Sequence, residues 1–165
     1  MIHEYAHVGV GTKIWHEQFS NIGNCSIGRN CIIHSHVWIG DGVLIGSGVR
    51  IQAFSFIPEG VTIEDNVFLG PRVTFTNDKH PPSPNWEKTL VKTGASIGAG
   101  SVILPGITIG KNAVIGAGSV VTKDVLAHTT VYGNPAKQAK KRVPVCSSNG
   151  ISSVQNHVRN VKSPW

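Results

Sequence analysis

The chain has 165 residues, 19 of them glycine, and a formal net charge of +6. This length suits a single domain, and the absence of an apolar run long enough to span a bilayer or of a signal-peptide core predicts a cytoplasmic protein. The three cysteines, Cys25, Cys31 and Cys146, have unrelated spacings, which gives no metal motif and favours a reducing compartment.

Taken in chain order, the first regular feature is a six-residue repeat. The period fits neither a strand nor a helix, because their side chains recur every 2 and about 3.6 residues. The fourth residue after each repeat position is small or β-branched, as in Cys31 and Val37. This pattern is typical of a parallel β-helix, in which stacked coils bury one another. The repeat positions are Ile27, Ile33, Ile39, Ile45, Ile51, Ile57, Ile63, Leu69 and Phe75, then Val91, Ile97, Ile103, Ile109, Ile115 and Val121.

The third residue after most repeat positions is Gly, Asn or Asp, the residues that tolerate positive φ at a corner. His36, Phe54 and Arg72 break this rule, and their 18-residue spacing stacks them on one edge of a three-sided coil. Two interpretations are open. Either this edge has a different corner geometry, or it faces a partner subunit or a substrate.

The remaining elements are irregular. Val8, Ile14 and Ile22 form an imperfect first coil, and the rhythm breaks between Phe75 and Val91, which predicts a projecting loop over about 79–90. After the last coil we expect a turn at Gly133–Pro135, a short helix over 136–143 and a flexible tail. The predicted organisation is one β-helix domain over 1–142 and a tail over 143–165.

The loop holds the best catalytic candidates, because rigid scaffolds place their chemistry on such loops. Asn77, Asp78 and His80 cluster there, and His80 could act as a general base or simply cap the loop. His34 and His36 are a second pair, for which solvated surface is the simpler interpretation.

Positive charge is concentrated late in the chain, at Lys123, Lys137, Lys140, Lys141, Arg142, Arg159 and Lys162. This predicts an anionic partner. A small polyphosphate ligand fits the cluster, whereas the lack of interleaved aromatic residues and of any nucleic-acid motif argues against nucleic acid.

Several segments resemble known enzymes. Residues 97–110, 114–125 and 133–137 resemble the C-terminal signature of the left-handed β-helix acyltransferases, a hexapeptide-repeat superfamily with an all-β fold. Ile14-Trp15-His16, Ile51-Gln52, Asp65-Asn66-Val67-Phe68 and Phe75-Thr76-Asn77-Asp78 resemble the nucleotide-sugar N-acetyltransferases, which acetylate an amino group on a UDP- or dTDP-linked deoxysugar. The likeness covers about residues 2–142.

The resemblance implies a homotrimer with acetyl-CoA in a groove between neighbouring β-helices, and no metal. By position, backbone groups of Ala99 and Ala117 would approach the pantetheine arm, Thr122 and Lys123 would lie beside it, and Lys137 and Lys140 would meet the phosphates. The sugar would lie near Asn77, and the candidates for substrate contacts are Asn77, Asp78, His36 and Arg72.

Three alternatives stay open. Lys79-His80-Pro81 is similar to the maltose and galactoside O-acetyltransferases, whose His precedes Pro, and this similarity implies a hydroxyl acceptor with His80 as base. A γ-type carbonic anhydrase shares the coil but needs three zinc histidines, for which the sequence shows no matching separated pair. A non-catalytic scaffold subunit is also possible, since the solenoid alone does not determine function.

Overall fold

The computed structural model describes residues 1–139. The chain forms an all-β parallel solenoid of about seven turns, as the repeat predicts and consistent with the left-handed β-helix that the family resemblance implies. Within residues 1–139, 20 short strands form three sheets, and all neighbouring strands are parallel except the last two, β19 (Thr130–Tyr132) and β20 (Lys137–Gln138). A 3-10 helix, Glu17–Phe19, occupies the irregular step in the first coil.

Each of the first six coils contributes one strand to each sheet, and the last two strands extend the second sheet, so the sheets run along the solenoid. The first sheet contains β1 (His7–Val8), β4 (Ser26–Ile27), β7 (Leu44–Ile45), β10 (Val61–Ile63), β13 (Thr89–Val91) and β16 (Thr108–Ile109). The second contains β2 (Lys13–Ile14), β5 (Ile32–Ile33), β8 (Arg50–Ile51), β11 (Phe68–Leu69), β14 (Ser96–Ile97), β17 (Val114–Ile115), β19 (Thr130–Tyr132) and β20 (Lys137–Gln138). The third contains β3 (Asn21–Ile22), β6 (Trp38–Ile39), β9 (Phe56–Ile57), β12 (Thr74–Phe75), β15 (Val102–Ile103) and β18 (Val120–Val121).

The six-residue repeat points into the core. Every repeat position from Ile27 to Val121 is at most 4% exposed, and the small or β-branched slot is also buried. Buried serines in that slot are hydrogen-bonded: the Ser101 hydroxyl donates to the carbonyls of Gly98 (2.8 Å) and Gly116 (3.0 Å). The repeat therefore specifies one continuous apolar core, as predicted.

The first edge, between the first and second sheets, alternates glycine and asparagine over the first six coils, and His128 occupies the corner of the seventh. A Cβ atom on Gly11, Gly48 or Gly94 would collide with the side-chain oxygen of the asparagine in the next coil. Those asparagines are Asn30, Asn66 and Asn112, all at positive φ. Each asparagine thus lies against a glycine of the preceding coil, and the stacking unit at this edge is two coils.

The second edge, between the second and third sheets, carries His36, Phe54 and Arg72. Their φ angles are 60°, 63° and 59°, and Gly100 and Gly118 in the later coils have φ of 67° and 68°. The interpretation that this edge has a different corner geometry is therefore wrong. The three residues adopt the left-handed conformation without being glycine, which costs about 1–2 kcal/mol each.

The third edge, between the third and first sheets, carries the projecting loop. The loop lies between β12, which ends at Phe75, and β13, which begins at Thr89, close to the expected range of about 79–90. Pairing of β13 with β10 places Thr89 and Leu90 in the first sheet.

The predicted helix over 136–143 is wrong in its described part. Lys137 and Gln138 form β20, which pairs antiparallel with β19 through Tyr132 and Val131. The backbone amide of Ala139 also donates to the carbonyl of Thr130 at 2.8 Å, which continues the pairing. The rest of that segment, the domain boundary at 142, the tail and Lys140 lie outside the described residues. Within residues 1–139, no helix has the length and apolar character needed to cross a membrane.

Candidate functional site

A concave pocket of about 500 Å³ opens on the third sheet, beside the third edge. It is lined by residues of β3, β6 and β9, by the corner residues that follow these strands and by residues of the loop. The polar and aromatic residues of the lining are His3, Asn21, Trp38, Asp41, Phe56, Glu59, Asn77 and Trp86.

Two aromatic side chains dominate one wall of the pocket. The rings of Trp38 and Phe56 stack with centroids 4.7 Å apart and planes inclined by 18°. Register pairs the two residues directly in β6 and β9, and both rings remain more than a third exposed. Exposed aromatic side chains at two successive outward positions are a marker of a binding surface.

Asn77 joins the base of the loop to the preceding coil. Its side-chain amide donates to the backbone carbonyl of Glu59 at 3.4 Å, and its own carbonyl accepts from the backbone amide of Glu87 at 3.1 Å. These contacts hold Asn77 at the rim of the pocket, where it is the single sequence-predicted site residue that lines it.

Asp78 organises the loop from within. Its carboxylate accepts hydrogen bonds from the backbone amides of His80 (2.9 Å) and Ser83 (2.7 Å) and from the Ser83 hydroxyl (2.9 Å). Partial burial raises the pKa of Asp78, but these hydrogen bonds outweigh it and hold the pKa below its ordinary value. The carboxylate therefore shapes the turn that carries His80.

His80 itself is exposed and does not line the pocket. The loop is further tied by an ion pair between Lys79 and Glu87, 3.4 Å apart, and by the Glu87 carboxylate, which occupies the space that a Cβ on Gly106 would need. His80 is thus held on a structured loop beside the pocket, and its role as a base remains a prediction.

The second edge brings together four other predicted residues. Backbone hydrogen bonds stack its corners, from Arg72 to Ala53 (3.0 Å), from Gly100 to Pro71 (2.8 Å) and from Gly118 to Ala99 (2.8 Å). His36 and Arg72 lie in the earlier coils of this edge, and Ala99 and Ala117 are exposed in the later ones. A Cβ on Gly100 or Gly118 would have no atom within 4 Å, so this part of the edge borders open space.

An aromatic stack covers the earlier coils of the second edge. The His36 ring lies between Phe19, at a centroid distance of 5.2 Å, and Phe54, at 4.8 Å. Phe19 and Phe54 remain 58% and 56% exposed, which leaves a ridge of aromatic edges facing solvent.

The remaining cofactor candidates lie towards the C-terminal end. Thr122 and Lys123 are exposed beside the third edge, where the Asp124 carboxylate accepts from the Thr108 amide at 2.7 Å. Lys137 lines a second cavity of about 400 Å³, together with Tyr132, Gly133, Asn134, Pro135 and Gln138.

The site residues predicted from the sequence do not come together within one chain. Asn77, Asp78, His80 and Lys123 lie at the third edge, whereas His36, Arg72, Ala99 and Ala117 lie at the second, on the opposite side of the third sheet. Six residues of extended chain separate two such edges, a span of up to about 20 Å.

Sequence reasoning missed most of the pocket. Trp38 and Phe56 follow the same 18-residue spacing that revealed the edges, and Asn21 precedes Trp38 by 17. Two aromatic residues at equivalent outward positions were a usable signal. Glu59 gave none, because an acidic residue before a corner glycine is common in a solvated turn.

Two further observations concern metals and thiols. Within the described part of the chain, no group of three or more His, Cys, Asp or Glu side chains could hold a metal ion. Cys25 and Cys31 are buried and free, and burial, followed by the nearby Asp41 charge, raises the pKa of Cys25 to about 11. This thiol is protonated at neutral pH and packs as an apolar group.

Comparison with known proteins identifies the repeat. The family model described as "Bacterial transferase hexapeptide (six repeats)" matches residues 42–77 and 88–123, and "Hexapeptide repeat of succinyl-transferase" matches 23–53. The chain belongs to the hexapeptide-repeat transferases.

Curated relatives have different acceptors. A galactoside O-acetyltransferase of Lactococcus lactis is 33% identical over 128 residues, which is 70% of this chain and 62% of that protein. Serine acetyltransferase 2 of Arabidopsis thaliana is 42% identical over 107 residues, 64% of this chain and 31% of that protein. A dTDP-3-amino-3,6-dideoxy-α-D-galactopyranose 3-N-acetyltransferase of Aneurinibacillus thermoaerophilus is 52% identical over 61 residues, 37% of this chain and 31% of that protein. The chain thus spans less than two thirds of each relative.

Among solved structures, AntD of Bacillus cereus is similar over most of both chains. This N-acyltransferase, in complex with dTDP and 3-hydroxybutyryl-CoA, superposes with a TM-score of 0.72 at 26% identity, over 81% of each chain.

Proposed function

We propose that this protein is an acetyl-CoA-dependent N-acetyltransferase that acts on the amino group of a nucleotide-linked amino-deoxysugar, a precursor of cell-surface glycans. The observation that carries the proposal is the pocket at Asn77, at the base of the projecting loop, on a fold shared over 81% of each chain with an N-acyltransferase in complex with dTDP and 3-hydroxybutyryl-CoA.

The reaction needs an amine without its extra proton and a thioester carbonyl held against it. The amine nitrogen forms a bond to the carbonyl carbon, the carbon–sulfur bond breaks, and the departing thiolate takes up the proton that the nitrogen loses. The products are an amide and free CoA. Positioning alone can supply much of the acceleration, because it turns a bimolecular step into one within a complex. Asn77 is the residue we assign to holding the acceptor.

A shared site accounts for the separation of the predicted residues. The cofactor candidates Ala99 and Ala117 lie on the second edge, and Asn77 lies on the third. In a homotrimer the second edge of one copy can face the third edge of its neighbour, which unites both sets around acetyl-CoA. Lys123, Lys137 and Lys140 then supply positive charge for the CoA phosphates, and Thr122, Asp78, His36 and Arg72 keep their proposed roles as ligand contacts.

A second candidate is O-acetylation of a sugar hydroxyl, favoured by the similarity to the galactoside O-acetyltransferase. A hydroxyl is a weaker nucleophile than an amine and needs a base, for which His80 is the candidate on the loop.

The test is release of CoA thiol from acetyl-CoA with a panel of acceptors: dTDP-3-amino-3,6-dideoxygalactose, dTDP-4-amino-4,6-dideoxyglucose, a galactoside and serine. We expect turnover with at least one amino sugar and none with serine. Turnover with the galactoside alone would contradict the proposal and support the second candidate.

Loop variants then separate the two mechanisms. On the amino sugar, Asn77→Ala should lose more turnover than His80→Ala, because substrate-assisted attack needs positioning and no base. A loss of about 100-fold or more in His80→Ala would instead indicate general-base catalysis. Asn85→Ala, in the same loop, is the matched control for a general loss of loop structure.

A further inference from the structure

The polar groups of the third-sheet pocket have an unusual charge for a nucleotide-sugar site. Asp41 and Glu59 contribute carboxylates, and the residues that line the pocket include no Lys or Arg. Met1 and His3 also line the pocket, and the Met1 amino group donates to the backbone carbonyls of Glu17 and Ser20. A diphosphate carries negative charge and is repelled by the two carboxylates.

The two carboxylates differ in what they already bind. The Asp41 carboxylate accepts a hydrogen bond from the backbone amide of Asn24 at 2.7 Å, which fixes the corner of the coil. The Glu59 side chain is exposed and has no hydrogen bond or ion pair within residues 1–139. Its backbone carbonyl accepts from the Asn77 amide, so Glu59 is held beside the predicted acceptor residue with its carboxylate free.

The rest of the lining is largely apolar. The edge of the Trp38 indole lies over Gly40, where a Cβ would be 3.1 Å from the ring and 2.7 Å from the Glu59 backbone amide. Phe56 and Pro58 line the same pocket. A pocket that combines two aromatic side chains with one free carboxylate suits a small ring with an apolar side and a basic substituent.

We propose that this pocket holds the amino-deoxysugar ring itself. The Glu59 carboxylate accepts hydrogen bonds from the amino group of the sugar, and the diphosphate lies outside the pocket. The inference rests on the proposed function, of which it specifies the acceptor site. The methyl and ring carbons of a deoxysugar pack against the edges of Trp38 and Phe56. Glu59 selects an amine over a hydroxyl when the acceptor binds, because the amine binds protonated and a carboxylate forms charge-assisted hydrogen bonds to it that a hydroxyl cannot match. The extra proton then leaves the nitrogen before attack, with the Glu59 carboxylate as its first acceptor.

The experiment measures binding without acetyl-CoA, so that it does not depend on turnover. Isothermal titration calorimetry compares dTDP-4-amino-4,6-dideoxyglucose, its 4-hydroxyl counterpart dTDP-6-deoxyglucose, and dTDP alone. We expect the native protein to bind the amino sugar about tenfold more tightly than the hydroxyl sugar. Glu59→Gln, which keeps the shape of the side chain, should abolish that preference and leave dTDP binding unchanged.

Two further variants test the apolar wall. Trp38→Leu and Phe56→Leu should weaken both sugars and leave dTDP alone unaffected. Glu4→Gln, an exposed carboxylate outside the pocket, is the matched control and should behave as the native protein.

Retention of the amine preference in Glu59→Gln overturns the inference. So does an equal loss of dTDP and sugar binding in Trp38→Leu, which would place the nucleobase in the pocket. If either occurs while the native protein still acetylates an amino sugar, the proposed function stands and the acceptor site is elsewhere. If the expected binding pattern is found but no amine is acetylated, the acceptor site stands and the proposed reaction fails.

Discussion

The earlier and later coils of the second edge use the same backbone corner in opposite ways. In the earlier coils His36, Phe54 and Arg72 occupy it at φ near 60°, despite the strain of the left-handed region. In the later coils Gly100 and Gly118 occupy it and leave open space outside. The corner can therefore accept a side chain, and its absence from the later coils is a separate property of the sequence. We infer that the earlier coils present side chains for contact and that the later coils present backbone to a ligand.

The largest expected effect comes from placing a larger side chain in the later coils of the second edge, where Gly100 and Gly118 border open space. Ala117→Leu places a branched side chain in the groove proposed for pantetheine, and overpacking of about 1–3 kcal/mol should weaken CoA binding about ten- to 100-fold. Ala53→Leu, at the same corner position two coils before Ala99, is the matched control. Calorimetry with CoA measures both. Equal loss in the two variants would erase the functional difference between the coils.

The next effect concerns the earlier coils and assembly. Phe54→Gly relieves the backbone strain but removes the exposed ring at one end of the Phe19–His36–Phe54 stack. If this ridge packs against a neighbouring copy, the loss of an aromatic anchor should weaken association by about 2 kcal/mol. Light scattering at micromolar concentration should report three chains for the native protein and fewer for the variant. Phe68→Ala, an exposed aromatic on the second sheet, should not change the assembly, and a native monomer would contradict the shared site.

A smaller effect is expected from charge at the C-terminal cavity. Lys137→Ala should weaken CoA binding by about 1 kcal/mol and reduce its dependence on salt, as a contact to phosphate requires. Lys111→Ala, an exposed lysine at the first edge, is the control. Titrations with CoA at two salt concentrations measure this dependence. An unchanged salt dependence in Lys137→Ala would indicate that the CoA phosphates bind elsewhere.

The smallest expected effect is on stability, and it compares two buried hydroxyl groups of the core. The Ser101 hydroxyl, next to the corner residue Gly100, donates to two backbone carbonyls. The buried Thr89 hydroxyl has no hydrogen-bond partner within residues 1–139. Thr89→Val should therefore raise the free energy of unfolding by up to about 1 kcal/mol, and Ser101→Ala should lower it by a similar amount. Chemical denaturation compares the two. A destabilised Thr89→Val would show that the hydroxyl is satisfied in solution.

The fold was predictable because one physical rule repeats. Every repeat position is aliphatic or aromatic and points inward, so the period of six directly reports burial, and the loop appears as its interruption. Outward positions obey no such rule. The 18-residue spacing of Trp38 and Phe56 was a usable signal for the aromatic part of the pocket, whereas nothing in the sequence marked Glu59. The helix predicted after Pro135 failed because pairing of β20 with β19 decides the structure there, and local sequence does not encode that partner.

The alternation along the first edge limits how this solenoid can change in length. Removal of one coil would bring two asparagines, such as Asn30 and Asn66, against each other, or leave two glycines facing an empty slot. Removal or duplication of two coils keeps the pairing intact. The two stretches matched by the six-repeat family model, 42–77 and 88–123, each contain two coils, so the segment that can be copied as a unit is 36 residues long. A lengthened protein built from such copies should fold in register, while one built from 18-residue copies should not.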